Sequence, residues 1–160
     1  MVISKLRDMG AIIERGNGGD IVVKGPERLS AVDITSMPHP GFPTDLQPPI
    51  TACLAVADGV SFVWETVFEN RFTHAAELVR MGANIRVAGD KAVIVGTPSL
   101  IGAPIMASDI RAGAALVLAG LAAHGTTIVD RVYHIDRGYE HIENTFTALG
   151  GTIRRETDNG

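Results

Sequence analysis

Three arginines and one aspartate have the types and positions from which chemistry could be built. Arg71 and Arg137 each follow a short β-rich run and precede a helical one. They close two similar stretches, Val67-Phe68-Glu69-Asn70-Arg71 and Tyr133-His134-Ile135-Asp136-Arg137. Arg111 stands in the first turn of an apolar helical run, just after Ser108-Asp109. Strand-to-helix junctions are where α/β folds gather ligand groups, and helix N-termini favour anions. A planar guanidinium grips carboxylate or phosphate through two parallel hydrogen bonds, so the trio reads as an anion-binding set. The competing reading pairs each arginine with a local carboxylate: Glu69 with Arg71, Asp109 with Arg111 and Asp136 with Arg137. Spacing alone leaves both open.

Asp45 sits where the Pro-rich stretch Gly41-Phe42-Pro43-Thr44 enters a helical run. It could cap that helix, as Asp109 would cap the next, or act as a loop-held general base beside a hydroxyl. Cys53 lies among Leu54, Ala55 and Val56 and reads as a small hydrophobe, not a nucleophile. The five histidines show no metal-ligand spacing; His74 and His141 read as starting or flanking exposed helix turns. No glycine cluster has the spacing of a phosphate-cradling loop. Neither metal nor cofactor is expected.

The elements that must position these groups recur along the chain. Asp8-Met9-Gly10-Ala11 returns as Arg80-Met81-Gly82-Ala83, and Thr44-Asp45 returns as Ser108-Asp109. The spacing predicts helices over 46–57, 72–81, 111–123 and 139–149, and strands over 61–65 and 126–129. Hairpins are predicted from 11–15 with 20–24, and from 85–88 with 91–95, the latter turning on Gly89-Asp90. These assemble into an α/β chain of β-α-β-α-β-β repeats. Residues 1–160 read as a single partial domain with copies at about 1–77 and 78–148 and the start of a third at 149–160.

The 160 residues are 46% hydrophobic and 20% charged, which excludes disorder and leaves enough apolar matter for a core. A net charge of −4 gives no support to a nucleic-acid or anionic-membrane partner. One cysteine excludes an internal disulfide. The longest apolar stretch, Ala112 to Ala123, is shorter than a membrane span requires, and no signal-peptide run opens the sequence. The expected setting is the cytoplasm.

Four extended motifs occur in order: Pro38-His39-Pro40-Gly41-Phe42-Pro43-Thr44-Asp45, Glu65-Thr66-Val67-Phe68-Glu69-Asn70-Arg71-Phe72, Ala107-Ser108-Asp109-Ile110-Arg111-Ala112 and Tyr133-His134-Ile135-Asp136-Arg137-Gly138-Tyr139-Glu140. Together they closely resemble the UDP-N-acetylglucosamine 1-carboxyvinyltransferase family of enolpyruvyl transferases, over nearly the whole chain. The resemblance implies an inside-out α/β barrel of β-α-β-α-β-β repeats, helices within and sheets outside, of which about two repeats are present. It also implies the C-terminal portion of a bacterial cytoplasmic enzyme of peptidoglycan synthesis and cell division, with the N-terminal portion of that enzyme as partner.

The same resemblance implies roles. The family adds the 3-hydroxyl of UDP-N-acetylglucosamine to phosphoenolpyruvate and expels phosphate. Asp45 matches the aspartate that serves the sugar hydroxyl. Arg71, Arg111 and Arg137 match arginines that hold the phosphate and carboxylate of phosphoenolpyruvate. Val67 and Phe68 match the backbone that contacts the nucleotide sugar. The family's active-site cysteine belongs to the other domain, and Cys53 does not inherit its role. The chain alone is expected to be inactive. The alternative is a non-catalytic piece, either an anion or UDP-sugar half-site or a repeat scaffold.

Overall fold

The computed structural model describes residues 1–156. The chain opens with helix α1 (Val2–Asp8) and a hairpin of β1 (Ile12–Arg15) and β2 (Ile21–Lys24). Strand β3 (Ile34–Ser36) leads through the Pro-rich loop to a 3-10 turn (Thr44–Leu46) and helix α2 (Gln47–Leu54). Strand β4 (Val60–Glu65), helix α3 (Ala75–Arg80) and the hairpin β5 (Asn84–Ala88) with β6 (Lys91–Val95) follow. Next come β7 (Leu100–Ile101), β8 (Pro104–Met106), helix α4 (Ile110–Ala122), β9 (Ala123–His124) and β10 (Ile128–Asp130). A 3-10 turn (Val132–His134) and helix α5 (Ile142–Ala148) complete the elements.

The main sheet has the order β3-β4-β6-β5. Strand β3 runs parallel to β4, with α2 as the crossover, and β4, β6 and β5 are antiparallel. Strands β8 and β10 repeat the parallel arrangement with α4 between them. The crossovers α2 and α4 pack on one another. Both are buried along most of their length, and the Ala-Gly-Ala-Ala run of α4 lets a neighbour approach closely. Pro48 and Pro49 stand in the first turn of α2, where a missing N–H costs no helical bond.

Several elements are shorter than the periodicity predicts. The 46–57 run becomes a 3-10 turn plus the eight residues of α2, and 72–81 narrows to α3 after an irregular turn. The 139–149 run narrows to α5 because His141 takes a left-handed conformation, φ 48°, that starts the helix late. The second predicted strand lies at 128–130 instead of 126–129. Both predicted hairpins form, and Ala88 pairs with Lys91 across the two-residue loop Gly89-Asp90. The stretch assigned to a third copy, 149–160, shows no helix or strand over 149–156, and 157–160 lie outside the described residues.

One large core joins Ile34, Phe42, Leu54, Val63, Leu78, Met81, Ile94 and Leu116, all essentially inaccessible. A smaller cluster of Ala107, Val117, Ile135 and Ile142 fixes the last 3-10 turn and α5 onto α4. Truncating a fully buried leucine such as Leu116 to alanine would cost about 2–5 kcal/mol, so α4 is held by packing, not by propensity. No helix among the described residues is long and apolar enough to cross a membrane.

Candidate anion-binding site

The C-terminal ends of β3 and β4 and the N-terminal ends of α2 and α4 bring the first group of residues together. Asp45, in the 3-10 turn, accepts a hydrogen bond from Arg111 Nε at 2.5 Å. Its Oδ1 also lies 3.7 Å from a terminal nitrogen of Arg71. The Asp45 side chain is 65% exposed, whereas that of Arg71 is 13% exposed, so the aspartate reaches in from solvent toward a largely buried cation. Arg71 Nε donates to the Thr44 hydroxyl at 3.1 Å, and its guanidinium carbon lies 4.6 Å from the centre of the exposed Phe68 ring. That is within cation–π range.

Glu65 closes this arrangement from below. Strand β4 alternates, with Ser61, Val63 and Glu65 turned inward, so a carboxylate takes a core-facing position and is 3% exposed. Burial demands partners, and Glu65 has three. Its Oε2 accepts from the Thr44 hydroxyl at 2.9 Å, and its Oε1 accepts from the backbone N–H of Val67 and of Phe68 at 3.0 and 3.2 Å.

Asp109 behaves differently from Asp45. Its carboxylate caps α4 by accepting from the backbone N–H of Arg111 and of Ala112. Burial works against its ionisation, but those two N–H groups, the Ser108 hydroxyl and the Arg111 charge outweigh burial and hold its carboxyl below the usual range. Ser108 and Thr73 form hydroxyl contacts to the same carboxylate, tying the start of α4 to the turn after Arg71. Under this turn lies His74, which is buried, not exposed as the sequence implies. Neither ring nitrogen makes a hydrogen bond of normal length and angle among the described residues. Burial lowers its pKa to about 4, opposed but not reversed by the Asp109 charge and a loose contact with the Arg71 backbone.

Arg137 is exposed and makes no ion pair among the described residues. Its backbone is seated on α4: a side chain at Gly138 would strike Ile110, and one at Gly113 would strike Ile135. The turn bearing Arg137 therefore rests on the first turns of the helix bearing Arg111. Asp136, the local partner considered for Arg137, instead binds Arg155 through two contacts of 3.0 and 2.7 Å. Arg155 also holds Glu143, whose pKa falls to about 2, chiefly through that hydrogen bond.

None of the local pairings weighed from the sequence is realised. Arg71 and Arg111 share Asp45, and Asp45 makes no capping bond, because its carboxylate is drawn to the arginines. Val67 and Phe68 have their N–H groups taken by Glu65. Cys53 is half-buried against the core, and burial raises its thiol pKa, which suits a packing residue. The sequence reading missed Thr44, Glu65, Thr73, His74 and Arg155. Of these only Glu65 carried a signal, the period-two alternation of its strand. Among the described residues no cluster of His, Cys, Asp and Glu could hold a metal ion.

A protein-family model described as EPSP synthase (3-phosphoshikimate 1-carboxyvinyltransferase) matches residues 1–146. The chain belongs to this family. Within the EPSP synthase family it is similar to the UDP-N-acetylglucosamine 1-carboxyvinyltransferase of Nitratidesulfovibrio vulgaris strain Miyazaki F, with 56% identity over 96% of this chain and 37% of the relative. The protein of the same name from Anaeromyxobacter sp. strain Fw109-5 is 58% identical over 97% of this chain and 36% of its own length. Among solved structures, the enolpyruvyl transferase NikO from Streptomyces tendae matches with a TM-score of 0.86 and 32% identity, over 98% of this chain and 36% of that one. EPSP synthase from Acinetobacter baumannii matches with a TM-score of 0.72 and 22% identity, over 98% of this chain and 37% of that one, and shares the fold. The enolpyruvyl-transferase fold implied by the four motifs is thus the fold observed. The chain spans a little over a third of the length of the curated relatives it matches.

Proposed function

We propose that this chain supplies one wall of an enolpyruvyl-transfer site that joins phosphoenolpyruvate to UDP-N-acetylglucosamine, the remaining wall coming from the rest of a longer enzyme. The substrate assignment draws on the names of the relatives at 56–58% identity. The observation that carries the proposal is the convergence of Arg71 and Arg111 on Asp45. Without ligand, the aspartate occupies the place of an anion between two guanidinium groups. An arriving phosphate or carboxylate draws the arginines to itself and frees Asp45 for the sugar hydroxyl.

In the reaction the 3-hydroxyl oxygen bonds to C2 of phosphoenolpyruvate and its proton passes to Asp45, while C3 gains a proton from an acid on the other wall, which takes one back in the elimination. The C2–O bond to phosphate then breaks, C3 loses a proton, and the enolpyruvyl ether and inorganic phosphate remain. Arg71, Arg111 and Arg137 stabilise the charge gathering on the departing phosphate. Val67 and Phe68 offer the sugar nucleotide their backbone and the exposed Phe68 ring. The two repeat copies, about 1–77 and 78–148, make up a partial domain of this enzyme, which acts in the bacterial cytoplasm in peptidoglycan synthesis and hence in cell division.

The test is phosphate release by a full-length enzyme carrying this segment. Asp45→Asn keeps the shape but cannot take a proton, and turnover is expected to fall roughly 10²–10⁴-fold. Turnover within a few-fold of the parent overturns the role of Asp45. The 160-residue chain alone is expected to give only background release, since one wall neither orients both reactants nor excludes water.

A further inference from the structure

The geometry points to Glu65 as a positioning residue: its buried carboxylate sets the direction of the Thr44 hydroxyl, and through it the aim of Arg71, while holding the Val67–Phe68 backbone in the same grip. Arginine carries only donors, and a carboxylate without a proton only accepts. Thr44 lies between the two, 2.9 Å from Glu65 Oε2 and 3.1 Å from Arg71 Nε. Its single proton must therefore point to Glu65, leaving a lone pair for Arg71. The other carboxylate oxygen takes the two N–H groups beneath the Phe68 ring that Arg71 covers. Two of the three holds on Arg71, the Thr44 hydroxyl and the Phe68 ring, thus depend on one buried side chain that makes no ion pair with Arg71 among the described residues. Asp45 is the third.

Glutamine cannot reproduce both halves of this grip at once. With its amide NH2 toward Thr44, the hydroxyl accepts from it, and its proton loses the acceptor that fixed its direction. With the NH2 toward Val67 and Phe68, it faces two other donors. One half of the relay is lost in either orientation. The consequence for ligand binding rests on the proposed reading of Arg71 as an anion-holding residue.

The relay can be tested without substrate by following hydrogen exchange of Arg71 Nε–H by NMR in this chain. Glu65→Gln and Thr44→Val are each expected to speed exchange about tenfold, the double variant no further, and Thr44→Ser to retain protection. A purely structural Glu65 would lower the melting temperature of Glu65→Gln and leave the Arg71 proton protected, which overturns the proposal. Should Glu65→Gln not fold, Glu65→Asp keeps the charge and shortens the reach by one methylene. Protection equal to the parent in that variant is equally fatal.

In a full-length enzyme carrying this segment, Glu65→Gln and Thr44→Val are expected to raise the KM for phosphoenolpyruvate more than they lower kcat, and Thr44→Ser to restore it. If Arg71→Ala leaves that KM unchanged, the reading of Arg71 fails while the exchange data still decide the relay. If Arg71→Ala raises KM and the other two variants do not, the relay fails alone.

Discussion

Asp45 and Arg111 stand 66 residues apart in the chain, yet Oδ1 of one lies 2.5 Å from Nε of the other. Asp109, only two residues before Arg111, gives its carboxylate to the helix backbone instead. Two aspartates that enter helices at corresponding sequence positions therefore have different jobs. Asp45 engages side chains in solvent, and Asp109 satisfies N–H groups at the start of α4.

Urea denaturation should separate these jobs. Asp109→Ala is expected to cost about 1 kcal/mol, the usual loss for a removed cap, and Asp109→Asn much less because asparagine still accepts the bond. Asp45→Ala should change stability by less than about 1 kcal/mol, since its carboxylate is 65% exposed. A larger loss at Asp45 than at Asp109 would contradict this division.

Phosphate titration followed by NMR should move Arg111 and Arg137 first, at millimolar affinity, worth about 4 kcal/mol. Water-exposed guanidinium groups on one wall bind weakly and lose affinity as salt rises. Asp45→Asn removes the competing carboxylate, so phosphate should bind a few-fold tighter to that variant. Weaker binding there, or shifts mapping to another face, would show that Asp45 does not hold the place of an anion.

Acid should destabilise the chain through His74. Its pKa is lowered from 6.5 to about 4 in the folded state, so between those values the unfolded chain binds more protons. The stabilising contribution is present above pH 6.5 and is lost as pH falls through about 4, a loss of about 3 kcal/mol. His74→Phe removes an imidazole that makes no well-formed hydrogen bond, so it should be tolerated at neutral pH and flatten this part of the pH–stability curve. Parallel curves for the two proteins would exclude His74 as the source.

Gly113→Ala tests the seat of Arg137. Alanine favours a helix interior over glycine by about 1 kcal/mol, but here the added methyl would strike Ile135. Overpacking of that kind costs about 1–3 kcal/mol, so the net effect should be destabilising. Resonances of residues 135–138 should shift with it. A stabilised variant would mean the turn yields freely.

Arg155→Ala tests the clamp on the same turn. Glu143, held to about 2 chiefly by the Arg155 hydrogen bond, should titrate higher, toward its ordinary value of 4.5, once that partner is gone, its own backbone N–H and His141 still favouring the charged form. The change is read from the Glu143 carboxyl carbon shift against pH, and an unchanged midpoint would assign the depression to another group.

Much of the local architecture was readable in the sequence by itself, because it depends on neighbours along the chain. The Gly89-Asp90 hairpin, the glycines with positive φ that follow α3 and α5, and the alternation of Ser61, Val63 and Glu65 all express short-range backbone preferences. The four motifs likewise carried the family, since they are strings of adjacent residues. Exact helix ends were less legible: a left-handed His141 and an irregular turn at 72–74 leave the apolar periodicity unchanged. Only the tertiary structure decided which carboxylate each arginine meets. Arg71 reaches Thr44 across 27 residues and Arg111 reaches Asp45 across 66, because α2 and α4 pack together and bring their N-terminal ends into one place. Local spacing offered Glu69, Asp109 and Asp136, but a charge takes the partner that folding places within reach. Nor could adjacency along the chain reveal the burial of His74, which arises from the packing of the turn at 72–74 beside the start of α4.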